Sequence, residues 1–212
     1  MTGLGVFLKF PEPGKVKTRL AQDVGPHQAA ALYEKMLHHV IRNAIVPTHL
    51  STTLFCDPSR DEASYREYFS DLALPIEMQE GRDLGERLVA AFRSLLEKHG
   101  RAIIVGTDCL DITPALLEQA AEKLDHEDVV LGPALDGGYY LIGLAKPCEA
   151  LFDGIAWSTK EVLSQTLQRA KGLSVHLLPR LSDIDTLEDL KARAREKGGR
   201  VDGHTILSDL IM

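Results

Sequence analysis

Apolar and polar positions along the chain follow two rhythms. Short apolar runs recur at residues 6–10, 52–56, 76–79, 102–105, 129–131, 139–144 and 175–178, and each predicts a strand. The run at 102–105 is unbroken, the pattern of a strand covered on both faces. Between these runs the apolar residues take helical spacing. Leu32, Tyr33, Met36, Leu37, Val40, Ile41 and Ala44 form one face of a helix predicted over 29–45, which Pro47 ends. Residues 84–97 place Leu88, Ala91, Phe92 and Leu95 on one side, and 62–69 predict a more polar helix. Thr113-Pro114 predicts a cap followed by a first turn. Ser158 and Glu161 have capping-box spacing for a helix to Lys171, stopped by Gly172. Thr186 predicts the cap of a last helix that stops at Gly198-Gly199.

Strands alternating with helices predict an α/β domain over residues 1–212, with a mainly parallel sheet covered on both faces. In such sheets ligands bind beyond the carboxyl ends of the strands. Attention therefore falls on segments 10–20, 79–87, 106–111 and 182–189.

Composition narrows the function classes. Charged residues at 26% and hydrophobic ones at 44% are ordinary for a globular chain, and aromatics at 6% leave the core to aliphatic side chains. A net charge of −7 disfavours a general nucleic-acid binder, which would carry an excess of positive charge. Cys56, Cys109 and Cys148 are odd in number and form no C-x-x-C pair, so a reducing compartment is expected. No apolar run reaches the roughly 18 residues of a membrane span, and the first ten residues do not read as a signal peptide. The expected location is cytoplasmic.

Against the acidic background, Lys9, Lys15, Lys17 and Arg19 concentrate positive charge just after the first strand. Pro11, Pro13 and Gly14 shape this loop, and Thr18 is placed to open a short helix with free backbone donors. The combination fits phosphate, which Arg19 can bind through two parallel hydrogen bonds. A solvated basic loop is the plain structural explanation, and the position after strand one argues against it. The segment is not a Walker loop: Lys9 stands where the upstream glycine is required, and Val16 follows Lys15.

Gly106-Thr107-Asp108-Cys109-Leu110-Asp111 ends the most apolar strand. Carboxylates there suit Mg²⁺ or Mn²⁺, which take oxygen ligands, with Asp108 the first choice of ligand. Asp111 reads equally well as a turn residue. In the segment from Ser182 to Leu190, Asp183 and Asp185 fall on one side of an extended stretch, and either is placed to complete a metal site. Glu188 and Asp189 read as ordinary first-turn acids. Asp136-Gly137-Gly138 is a hairpin signal. Its glycines would also allow close approach to a ligand, and Asp136 would then bind an acceptor or act as a base. Gln79 and Asp83 are placed to read a base or ribose. Arg87 reads alone as an ion-pair partner of Asp83, and in this setting as a further nucleotide contact. His38-His39 lies within a helix and does not suggest zinc, and Trp157 reads as packing or as lining an acceptor pocket.

The segments FLKFPEPGKVKTRLA, QEGRDLGERL, GTDCLDI, LGPALDGGYYLIGL, GIAWST and DIDTLEDL together resemble a bacterial and archaeal family, DUF2064. That family is glycosyltransferase-like and is itself similar to the GT-A nucleotide-diphospho-sugar transferases. DIDTLEDL is also similar to the ending of molybdenum-cofactor and F420-precursor nucleotidyltransferases. The resemblance implies a Rossmann-like GT-A three-layer sandwich with one antiparallel strand. It implies Lys17 and Arg19 on phosphate, and a metal on Asp108 with Asp185 or Asp183. Two positions depart from the family's pattern. Leu110 stands where proline usually follows the cysteine of GTDC, and Arg82 interrupts a glycine-rich stretch, leaving base preference open.

The expected chemistry is in-line displacement at phosphorus or at an anomeric carbon, with the leaving phosphate charge stabilised by Mg²⁺ or Mn²⁺, Lys17 and Arg19. Three readings follow. The first is glycosyl transfer from a nucleotide-sugar to a small-molecule acceptor. The second is nucleotidyl transfer from an NTP with release of pyrophosphate. The third is a non-catalytic nucleotide- or partner-binding module.

Overall fold

The structure, a computed structural model, describes residues 1–196. Seven strands form one sheet in the order β3-β2-β1-β4-β6-β5-β7. They are β1 (Thr2–Leu8), β2 (Leu50–Cys56), β3 (Ile76–Met78), β4 (Ala102–Val105), β5 (Val129–Pro133), β6 (Tyr139–Leu144) and β7 (Val175–Leu177). All neighbours pair in parallel except β6, which runs antiparallel to both β4 and β5. Among the described residues the α-helices are α1 (Thr18–Val24), α2 (Pro26–Ala44), α3 (Glu62–Tyr68), α4 (Leu84–His99), α5 (Pro114–Lys123), α6 (Val162–Arg169) and α7 (Leu187–Glu196). The mainly parallel sheet with one antiparallel strand is the predicted architecture.

Strand alternation divides the core into two layers. Leu4, Val6, Leu8, Ile103 and Val105 pack towards α2, α3 and α5, whose buried side chains include Tyr33, Leu37, Ile41, Tyr65 and Leu117. Ala102, Ile104, Val129, Leu131 and Ile142 face the other way, onto Leu88, Phe92 and Leu95 of α4 and Leu163 of α6. A smaller cluster joins Leu20 of α1, Leu32 and Met36 of α2, and Leu190 and Ala194 of α7.

β1 begins at Thr2, four residues before the apolar run suggests, because Gly3 and Gly5 interrupt the hydrophobic pattern. Their small size has a packing cause. A Cβ on Gly3 would lie 2.7 Å from the His99 ring, and one on Gly5 3.2 Å from Leu95, so α4 lies close against β1 there. The capping box predicted at Ser158 and Glu161 does not form. Ser158 sits at φ 64, and α6 begins only at Val162 with no side-chain cap. At Thr186 the box does form, with Asp189 as its acid: the Asp189 N–H donates to Thr186 Oγ1, and the Thr186 N–H donates to Asp189 Oδ2. The predicted stop at Gly198-Gly199 lies outside the described residues.

Candidate active site

The strand order reverses between β1 and β4, the place where open α/β sheets hold ligands. A cleft of about 550 Å³ opens there. Lys9, Lys17, Thr18, Arg19, Gln79, Arg87, Asp108 and Asp185 line it.

Lys17 is the centre of this arrangement. It caps α1 in the left-handed backbone region (φ 46, ψ 45), a conformation that side chains other than glycine, asparagine and aspartate seldom take. Its side chain is 2% exposed, yet its ammonium donates to Asp108 Oδ1 at 2.5 Å and to Asp185 Oδ1 at 2.8 Å. Burial alone would lower its pKa. The two carboxylates outweigh burial and raise it, so the ammonium stays charged.

Each partner reaches it for a local reason. Asp108 follows β4 directly, its carbonyl accepting from the Ile184 N–H at 3.0 Å. After β7 the chain continues beside β5: Leu181 exchanges backbone bonds with Pro133 and Leu135 and so brings Asp183 and Asp185 to the carboxyl edge. The Asp189 carboxylate then fixes Asp185 by accepting its N–H at 3.1 Å. Among the described residues none hydrogen-bonds the Asp183 carboxylate. Burial, and the charges of Asp108, Asp136 and Asp185, push its carboxyl up to about 7.

The other predicted residues divide. Lys9 and Arg19 stand exposed at the cleft, with Thr18 at the first turn of α1. Gly14 and Lys15 are exposed on the same loop outside the cleft lining. Gln79 is buried, its amide donating to the carbonyls of Phe55 and Leu8, so those donors tie strand ends together. Asp83 is not the partner of Arg87. It caps α4 by accepting the Glu86 N–H at 2.9 Å, while Arg87 pairs with Asp57 at 2.9 Å and donates to the Gly81 carbonyl. Asp136 is exposed and accepts the Gly138 N–H at 2.8 Å, holding the β5–β6 turn outside the cleft lining. The close approach at Gly137 (φ 95) is to the backbone of Lys160, where a Cβ would collide. Asp111 pairs with Arg193 of α7.

Three polar contributors were not singled out from the sequence. Tyr33 projects from α2, its hydroxyl accepting from the Lys9 N–H at 2.8 Å and from Thr107 Oγ1 at 3.1 Å, so it clasps the loops after β1 and β4. Tyr33 had been legible only as core. Thr107 is flagged by nothing but its place beside Asp108. Asp57 had been legible only as the residue that ends β2.

Among the described residues no group of three or more His, Cys, Asp or Glu side chains forms a ready-made metal cage. Two carboxylates, one from each loop, do converge on a single cation position. Mg²⁺ is commonly held by one or two carboxylates, substrate phosphate and water, and this donor set fits that mode.

The chain matches the family described as "Uncharacterized protein conserved in bacteria (DUF2064)" over residues 40–159. It belongs to that family. It is similar, at 32% identity and a TM-score of 0.88, to a protein of Desulfovibrio desulfuricans G20 provisionally assigned as a nucleotide-diphospho-sugar transferase; the match covers 100% of this chain and 93% of that one. The inositol-1-phosphate CTP transferase of T. maritima shares the fold at 14% identity and a TM-score of 0.59, over 99% of this chain and 96% of its own. So does Rv0371c of Mycobacterium tuberculosis H37Rv in its complex with manganese, at 15% identity and a TM-score of 0.55, over 91% and 97% of the two chains. No curated protein matches. The fold is thus the Rossmann-like fold shared by nucleotide-diphospho-sugar transferases and nucleotidyltransferases. No helix among the described residues is long and apolar enough to cross a membrane.

Proposed function

We propose that the chain is a metal-dependent transferase that takes a nucleotide-sugar as donor and passes its sugar to a small-molecule acceptor. The observation that carries this reading is the buried ammonium of Lys17 held between Asp108 and Asp185 at the strand-order reversal. A cation and two carboxylates at that place form a seat for a phosphate and its metal. The similarity to the Desulfovibrio protein supports a nucleotide-diphospho-sugar as donor.

In this reading the acceptor hydroxyl oxygen attacks the anomeric carbon, the bond to the phosphate oxygen breaks, the nucleoside diphosphate leaves with the electron pair, and the hydroxyl proton passes to water or to the departing phosphate. Lys17 and Arg19 face the charge that develops on that leaving group. Thr18 offers the backbone donors of the first turn of α1. Asp108 and Asp185 would hold Mg²⁺ or Mn²⁺, which supplies charge neutralisation at the leaving phosphate when bound. Tyr33 keeps the two loops at a fixed separation.

Nucleotidyl transfer is the second reading. Its support is the density of cations in the 9–19 loop, enough for a triphosphate, together with the fold shared with CTP-using enzymes. Product analysis separates the two. With a nucleotide-sugar panel, release of a free nucleoside diphosphate is the expected result, and pyrophosphate from an NTP would favour the second reading. Metal-dependent nucleotide binding without turnover of any donor would return the chain to the binding-module class.

A further inference from the structure

One part of the cleft has no role in phosphate chemistry. Beneath the amino-terminal half of α4 the lining is apolar: Phe7 of β1, Ile104 of β4, Tyr139 and Ile142 of β6, and Leu84 and Leu88 of α4. Leu84 and Leu88 are one turn apart and share a helix face. Leu84 stands 42% exposed at the mouth, so the apolar lining continues from the floor out to solvent.

Gly106 adds an independent observation. By strand alternation it continues the face of Ala102 and Ile104, which is the face turned to α4. A Cβ added there would meet nothing within 4 Å. The floor therefore ends in open space at the point where Asp108 begins the ionic half.

None of these six side chains presents a polar group to read a nucleobase edge, and the polar residues nearest them are engaged elsewhere. The amide donors of Gln79 are spent on the Phe55 and Leu8 carbonyls. Arg87 is held by Asp57 and the Gly81 carbonyl. The Tyr139 hydroxyl is fully buried behind its ring, beside that of Thr166, and does not reach the cleft. Six apolar side chains would gain little from a sugar ring covered in hydroxyls, whereas a hydrocarbon or aromatic group would gain from their burial.

We infer that this chamber receives an apolar body carried by the acceptor, and that the acceptor is an amphiphile whose reacting hydroxyl emerges beside Asp108 while its hydrocarbon or aromatic part lies under α4. This rests on the transferase reading for the word acceptor. The apolar site itself can be measured without it.

The test is a homologous series of n-alkyl alcohols, butyl to octyl, with binding to the full chain measured by ligand-observed NMR. Each titration is run alone and again with saturating uridine diphosphate and Mg²⁺. Each added methylene should tighten binding by about fourfold until the chamber is full. Gly106→Leu should fill the open end and flatten this dependence. It leaves Lys17, Arg19, Asp108 and Asp185 untouched, and a thermal melt confirms that it folds. Leu84→Asn, at the exposed mouth, should weaken the longer alcohols by several fold.

A steep series in the wild type that survives the nucleotide and flattens in Gly106→Leu supports the inference. A flat series in the wild type, or a steep one unaffected by both substitutions, overturns it. Loss of alcohol binding when uridine diphosphate is added also overturns it, since the chamber would then belong to the donor's base. If the nucleotide fails to bind while the alcohol series stays steep, the donor reading fails and the apolar site stands.

Discussion

Lys17 and Asp108 lie 91 positions apart in the chain, yet the ammonium of one meets the carboxylate of the other at 2.5 Å, with Asp185 on its far side at 2.8 Å. The oxygens that would hold a divalent ion are thus already bound to a cation belonging to the protein. A metal entering this site competes with Lys17, and donor phosphates that draw the ammonium away ease its entry.

Metal binding is therefore expected to depend on nucleotide. Mn²⁺ titrated into the free protein and followed by electron paramagnetic resonance should bind weakly, and at least tenfold more tightly when a nucleoside diphosphate is present. Lys17→Met should raise affinity for the metal in the free protein while lowering turnover by about a hundredfold or more, the scale on which lost transition-state donors are felt. Equal Mn²⁺ affinity with and without nucleotide would refute the competition.

Asp108→Asn and Asp185→Asn should each abolish the metal-dependent part of nucleotide binding. In a thermal-shift assay, ligand at a hundredfold excess over Kd adds about 2.7 kcal/mol of apparent stability. The wild type should show that shift with Mn²⁺, and the two variants should lose it. An undiminished shift in Asp108→Asn would remove Asp108 from the metal site.

Asp183 gives a pH signature. Its folded carboxyl titrates at about 7, above the ordinary value of 3.8, so between those limits the folded chain binds the proton more tightly than the unfolded one. Stability from this group is present below the unfolded pKa and declines as pH rises towards 7. Relative to wild type, Asp183→Asn should be near neutral at pH 4 and increasingly stabilising up to pH 7, with little further change above. Melting curves of both proteins across pH 4 to 8 provide the check, and a difference independent of pH would show that Asp183 ionises normally.

Arg87 and Asp57 form a mostly buried pair, and hydrogen bonds from Ser59 and from Arg87 keep Asp57 below the usual carboxylate range despite its burial. Arg87→Met leaves that carboxylate with one fewer donor in a partly dry setting. A loss of roughly 2 kcal/mol in urea denaturation is expected. Asp57→Asn in the Arg87→Met background should recover part of it, which a double-mutant cycle measures.

Gly137→Ala should destabilise by about 1–3 kcal/mol, since the backbone of Lys160 occupies the space and φ is 95. Gly14→Ala, also at positive φ but in open space, should cost less. Equal costs at the two positions would show that the hairpin does not need its contact with residue 160.

Much of this fold could be read from the sequence because its strands are covered on both faces and so appear as continuous apolar runs, as at Ala102–Val105. The start of β1 was hidden because Gly3 and Gly5 serve a helix lying close above them, a relationship between distant segments that leaves no local period. Lys17 and Asp108 were legible as chemistry following a strand. Their direct bond was not, since nothing in either segment encodes the other's distance. Asp83 and Arg87 have the spacing of an ion pair on one helix, and the pairing failed because Asp83 is spent on capping and Asp57 comes from a neighbouring strand. Tyr33 obeys helical periodicity so well that its hydroxyl was concealed by the rest of its side chain. The glycines of the Asp136 turn invite a ligand on paper, while in the molecule the space above Gly137 is already taken by the chain itself.

The reversed direction of β6 separates two kinds of change. β1 and β4 reach the ligand edge at their ends and leave through the loops that carry Lys17 and Asp108. β6 arrives there at its beginning, out of a short turn tied to distant segments: the Leu135 N–H donates to the Leu181 carbonyl and the Leu163 N–H to the Gly137 carbonyl. A change in that turn therefore reaches the segment of Asp183 and Asp185 through Leu181, and α6 through Leu163, while the pairing of β4 with β1 lies apart from it. The two walls of the cleft thus answer to different segments, one to the turn that feeds β6 and the other to the loop that grips Lys17.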